Sequence, residues 1–125
     1  MAFNFQKFTD TDTSFVARIT VRQTGQLGFN AGAINRFDIN SYEKAILYFD
    51  PVERVVGIEL TNENSEGAID IKRSPTNTYI RAKNFCDRFE IDYKESHRFE
   101  LQKDSDTGLL IFELAKEITK DSVSD

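Results

Sequence analysis

At 125 residues and a net charge of −5, the chain has room for one domain with one core, and its total charge gives no support to a general nucleic-acid role. Eleven Phe and four Tyr, with no Trp, make phenylalanine the main source of large buried area. The single cysteine, Cys86, rules out an intrachain disulfide, no apolar run approaches the roughly 18 residues that span a membrane, and the first residues form neither a basic nor an apolar leader. A soluble, cytoplasmic protein without membrane contact is therefore expected.

Along the chain, residues 1–16 carry Phe3, Phe5, Phe8 and Phe15 among polar residues, and the Phe3, Phe5 alternation reads as an edge strand or a partner-binding arm. Ile19 and Val21 alternate with Arg18, Thr20 and Arg22, the pattern of a half-exposed strand. A short second strand follows around Gln26 to Phe29. Asn30 then caps a short helix through Phe37, with Ala33, Ile34 and Phe37 on one face. Leu47 and Phe49, an Asp50-Pro51 turn, and Val56, Ile58 and Leu60 make a hairpin.

After a polar connector from Thr61 to Gly67 the same order returns. Ile69 and Ile71 give a strand, Tyr79 and Ile80 a second, and Phe85, Cys86 and Phe89 a helix face. Phe99 and Leu101 are expected to pair with Leu110, Phe112 and Leu114 across a turn at Ser105 to Gly108. The helix segments agree in residue type: the apolar, polar, Arg, Phe, acid, Ile run Ile34-Asn35-Arg36-Phe37-Asp38-Ile39 recurs 52 positions later as Cys86-Asp87-Arg88-Phe89-Glu90-Ile91. The chain thus reads as two tandem strand, strand, helix, hairpin units, residues 17–60 and 68–114, followed by a polar tail, residues 115–125, expected as a fraying helical turn or a disordered segment. One such unit leaves a sheet face uncovered; two together bury it as a mostly β, pseudo-twofold barrel with short helices.

The run from Arg18 through Phe29, the helix to Phe37-Asp38-Ile39 and the hairpin after it resemble the DNA-binding domain of AbrB-type regulators, a family that includes MazE antitoxins and tandem-repeat MraZ proteins. The resemblance covers about 45 residues and is closer in the first unit. It implies half of a swapped-hairpin barrel in each unit, and DNA contacted by the first strands and the loops that precede the helices. The chain departs from the family after each helix, where Asn40 to Lys44 and Asp92 to Ser96 stand in place of an acidic Gly-Asp turn, and before the helix, where the family's Pro is missing. A double-psi barrel also follows from such an order of elements, and both topologies stay open.

Charge divides along the same lines. Residues 17–39 carry Arg18, Arg22 and Arg36 against Asp38, and residues 68–91 five bases against three acids, a net +2 each; residues 40–66 sum to −4 and residues 92–114 to −3. Arg18, Arg22, Lys72, Arg73, Arg81 and Lys83 are the candidate nucleic-acid contacts, since guanidinium and ammonium groups neutralise phosphates and Arg forks onto guanine edges. The same residues also fit solvated strand faces. The acidic hairpins, with Glu53, Glu59, Glu100, Asp104 and Asp106, fit a basic protein partner or an ordinary solubilising surface.

Cys86 and His97 lie on different elements, and Cys86 falls at a core-facing helix position, so packing explains it better than nucleophilic chemistry. Asp104 to Gly108 lacks the acidic third position and the distal Glu of a calcium loop and reads as a hairpin turn. Metal, cofactor and catalytic assignments therefore have no sequence support. The sequence points to a non-enzymatic, AbrB-like module for double-stranded DNA, or alternatively to a protein-interaction or accessory module.

Overall fold

Alternating apolar residues fold the chain into short strands, joined by turns in which Asn, Asp and Gly recur, as at Gly25, Asn30 and Asp38. The computed structural model describes residues 16–118; the Phe3, Phe5, Phe8, Phe15 arm and the tail after Ile118 lie outside the described residues. The first part holds β1 (Arg18–Val21), β2 (Gln26–Phe29), α1 (Ala31–Arg36), a 3-10 turn (Ile39–Ser41), β3 (Lys44–Asp50) and β4 (Val55–Thr61). The second holds β5 (Ile69–Ser74), β6 (Asn77–Arg81), α2 (Lys83–Arg88), β7 (His97–Glu100), β8 (Gln102–Lys103), β9 (Leu110–Glu113), a second 3-10 turn (Leu114–Lys116) and β10 (Glu117–Ile118).

All pairings are antiparallel, in the order β10-β7-β1-β2-β6-β5-β3-β4-β9-β8. The sheet curls into a mostly β half-barrel, and one bent hairpin, residues 97–118, carries both of its ends. Leu101, where that strand bends, donates its N–H to Ala17 O at 2.9 Å. The hairpins do not pair with the strands that precede them. Instead β3 pairs with β5 and β7 pairs with β1, so each part of the chain completes the sheet of the other.

The inward residues make one core. Ile19, Val21, Leu27, Val56, Ile58 and Ile80 are fully buried, and Phe99 and Phe112 stack with centroids 5.1 Å apart. At roughly 1.5–3 kcal/mol per buried large side chain, this core dominates the stability. Leu27 faces Ile80 directly across the β2–β6 register, joining the two parts at the centre of the sheet.

Both helices stop in the same way. Phe37 and Phe89 are the C-caps, and the following Asp38 and Glu90 adopt left-handed backbone with φ of 53° and 55°, the conformation that ends a helix by freeing its last carbonyls for new partners. Two expectations need correction. The last hairpin pairs through Gln102–Ile111 and Lys103–Leu110, whereas Phe99 sits opposite Ile19 and Glu117, because the bend at Leu101 turns β7 away from β9. The residues after Leu114 form the expected helical turn, as the 3-10 turn to Lys116, but do not fray there: Glu117 and Ile118 extend the sheet on β7, filling hydrogen bonds that β7 would otherwise leave open.

Candidate nucleic-acid interface

Strand alternation sorts the six candidate basic residues by face. With Ile19 and Val21 inside, Arg18 points outward on β1; with Ile71 and Ile80 inside, Lys72 and Arg81 do so on β5 and β6. Register places them close together. Thr20, Gly28, Tyr79 and Lys72 form one row across β1, β2, β6 and β5, and Gln26 faces Arg81 in the next.

Arg22 lies flat across this face. Its Nη2 donates to Asn77 Oδ1 at 2.8 Å, its Nη1 to Gln26 Oε1 at 3.3 Å, and its Cζ sits 6.0 Å from the Tyr79 ring centroid. Gly28 makes this possible, since a Cβ there would fall 2.1 Å from Arg22 Nη2. Arg22 is therefore held in place across β2 and β6, with a planar cation presented on the surface.

Lys83 opens α2 beside this face. The β1–β2 turn presses against it: Gly25, at φ 82°, would clash through a Cβ with Lys83 Cβ at 2.7 Å, and Ala82 N donates to Gly25 O at 3.0 Å. The Lys83 ammonium pairs with Asp87 at 3.0 Å, which raises its pKa, while Tyr93 and Lys83 together hold the Asp87 carboxyl below its usual range. Lys72 stands 3.9 Å from Asp70, whose pKa is lowered chiefly by a hydrogen bond from Lys44.

Arg73 belongs elsewhere. It shares the inward parity of Ile71 at the end of the sheet, and its guanidinium donates to Ile39 O at 2.8 Å, to Tyr42 O and to Asn40 Oδ1 at 3.1 Å. It fastens the 3-10 turn of the first part to β5 of the second, which removes it from the outward set. Arg98, absent from the sequence-based set, joins that set: it faces Thr20 across β1–β7, on the same row as Lys72. The signal was the alternation of His97, Phe99 and Leu101, which puts Arg98 on the opposite face, hidden by the acidic total of its hairpin.

Cys86 is fully buried, and its thiol is pushed up to about 11, first by burial and then by Asp87; a thiol so protonated is a packing residue, as its helix position implied. Among the described residues no cluster of three His, Cys, Asp or Glu could hold a metal ion, and no helix is long and apolar enough to cross a membrane. The chain matches no family model, no curated protein and no solved structure.

Proposed function

We propose that the chain is a tandem pair of AbrB-like swapped-hairpin units acting as a non-enzymatic regulatory module that binds double-stranded DNA through the outer face of β7, β1, β2, β6 and β5. The duplication is supported by the pairing pattern. Exchanging β1, β2, β3 and β4 for β5, β6, the β7–β8 strand and β9 maps every pair except β10–β7 onto a pair of the same sheet: β1–β2 onto β5–β6, β3–β4 onto β8–β9, and β3–β5 onto β7–β1. The strands β2 and β6, and β4 and β9, pair with their own counterparts. Hairpins exchanged between halves favour the swapped-hairpin alternative over the double-psi one.

The observation that carries the DNA reading is the gathering of Arg18, Arg22, Arg81, Lys72 and Arg98 on one outward face, set against Asp70 and Glu100, with Lys83 at its margin. Such a face supplies phosphate contacts at low cost, because its strands are already rigid. Titrating a mixed-sequence duplex pool by fluorescence anisotropy tests it. Micromolar or tighter binding that weakens steeply with salt is expected, and Arg81→Ala with Lys83→Ala should flatten the salt slope by about one unit per lost phosphate contact. No binding even at low salt would end this reading. Arg73 is unsuited to the test, since its loss would loosen the fold.

One feature favours the second reading, a protein-interaction module. Val52 is 83% exposed at the tip of the β3–β4 hairpin, with Tyr48 on the same hairpin 44% exposed, an apolar tip in an acidic setting. Val52→Glu would abolish recruitment of a partner there and leave DNA binding unchanged; affinity capture with both proteins separates the two readings.

A further inference from the structure

The tips of the two hairpins are built to one plan. Asp50 O accepts from Arg54 N at 2.8 Å, and Asp104 O accepts from Gly108 N at 2.7 Å. The closing residue has positive φ in both, 58° at Arg54 and 76° at Gly108. Each tip then approaches the end of the helix in the opposite half, and here the side chains differ.

Arg54 reaches the end of α2. Its Nη1 donates to Phe89 O at 3.2 Å and its Nη2 to Glu90 O at 3.4 Å, while its Cζ lies 5.2 Å from the Phe49 ring centroid. At the end of α1 the corresponding carbonyls belong to Phe37 and Asp38, of which Asp38 O already accepts from Ser41 N at 3.0 Å and keeps its second lone pair. Opposite them the second hairpin offers Lys103 in place of Phe49 and Gly108 in place of Arg54. The result is a groove of about 370 Å³ lined by Phe37, Asp38, Leu60, Lys103 and Gly108, where the other half has a guanidinium and a ring. A Cβ built on Gly108 meets nothing within 4 Å.

We propose that this groove binds an arginine side chain presented by a partner polypeptide, its guanidinium meeting the Phe37 and Asp38 carbonyls as Arg54 meets those of Phe89 and Glu90. Two successive carbonyls call for two donors in one plane, which a guanidinium has and an ammonium lacks. Phe37 and Leu60 provide apolar surface for the stem of the side chain. Arg36 and Lys103 on the rim offset Asp38 and Glu59, so selectivity comes from the fork geometry rather than from net charge. The inference rests on the matched hairpins and does not depend on DNA binding.

The test is an amide-resolved NMR titration of the full chain with L-argininamide, with L-lysinamide as control. Saturable shifts at Phe37, Asp38 and Leu110 are expected with argininamide and none with lysinamide. Gly108→Arg, which places the missing side chain in the turn geometry that Arg54 already adopts, should abolish them. Arg54→Gly should open the second groove and add saturable shifts at Phe89 and Glu90. Absence of saturable shifts in the unmodified protein, an equal response to lysinamide, or binding retained by a folded Gly108→Arg chain would overturn the proposal. If Gly108→Arg does not fold, Arg54→Gly decides: no new shifts at Phe89 and Glu90 would overturn it as well.

Discussion

Each of the two helices follows a pair of strands and ends before a left-handed residue, yet side chains fasten them at opposite ends. α1 is held at its start. Asn30 Oδ1 accepts from Ala33 N at 2.8 Å and from Arg18 N at 3.0 Å, and Asn30 Nδ2 donates to Val16 O at 2.9 Å, so one amide caps the helix and ties it to β1. α2 follows Ala82, which has no side-chain cap and only a backbone N–H bonded to Gly25 O, and its side-chain fastening is at its end instead. There Phe49, Phe85 and Phe89 cluster with ring centroids 4.7 to 6.2 Å apart and Arg54 closes over the terminal carbonyls. The lesson is that the pairing frame fixes where a helix must lie but not how it is held, and the two halves have solved that second problem with different chemistry.

The comparison breaks most readily at the shared frame, where the largest effect is expected. Leu27 and Ile80 are buried to the same degree and face each other across β2–β6. Leu27→Ala and Ile80→Ala should each cost about 2–4 kcal/mol, in a single denaturant transition, and the double variant should cost less than their sum because the two share a contact. Two separate transitions would show that the halves fold independently. Asn30→Ala comes next, at about 1–2 kcal/mol, since it removes a cap and strands the Arg18 N–H and the Val16 carbonyl. A loss within error would mean that α1 is held by packing, as α2 is.

Much of this frame could be read from the residues. Asn30, the Asp50 turn, the buried positions Ile19, Val21, Ile71 and Ile80, and the recurrence of Arg36-Phe37 at Arg88-Phe89 are local signals, governed by periodicity and capping chemistry. Register between halves is not local, so nothing in Phe99 or Leu101 foretold that one strand would bend and serve both ends of the sheet. Arg73 and Arg22 look alike in sequence, each an arginine at a strand end. They differ because Arg22 follows the inward Val21 by one residue and Arg73 follows the inward Ile71 by two, so alternation turns the first outward and the second inward. Arg98 was obscured by summing charge over a segment when alternation within a strand decides what solvent sees.

A smaller effect sharpens the contrast at the helix ends. Arg54→Ala removes two hydrogen bonds and a ring contact from an exposed side chain, so its cost should stay below about 1 kcal/mol. The loss should appear as faster amide exchange at Ile91, whose N–H bonds to Cys86 O at 2.8 Å, with α1 unchanged. Equal acceleration in both helices would mean that the two ends are coupled through the core, and would contradict separate fastening.

The smallest effect is a pH dependence confined to one half. Where β3 enters the sheet, Glu43 stands 4.0 Å from Arg73. Where β7 enters, His97 takes the corresponding place, with Nδ1 2.5 Å from Glu117 and Nε2 3.6 Å from Asp92. The His97 pKa is raised, first by the hydrogen bond to Glu117, against partial desolvation, with further support from the two carboxylates. A histidine whose folded pKa lies above its unfolded value of about 6.5 adds stability that is fully present below that value and is lost as pH rises through the folded pKa. Glu117 and Asp92 are well exposed, at 41% and 63% of their side chains, so screening keeps the effect modest. Raising the pH through neutrality should therefore loosen β10 from β7, read as lower amide protection factors at Arg98 and Phe99 once the intrinsic rise of exchange with pH is divided out, while those of Lys44 and Ala45 in β3 stay unchanged. His97→Gln should remove the dependence; if it persists in that variant, the titrating group lies elsewhere and the two halves do not differ in this respect.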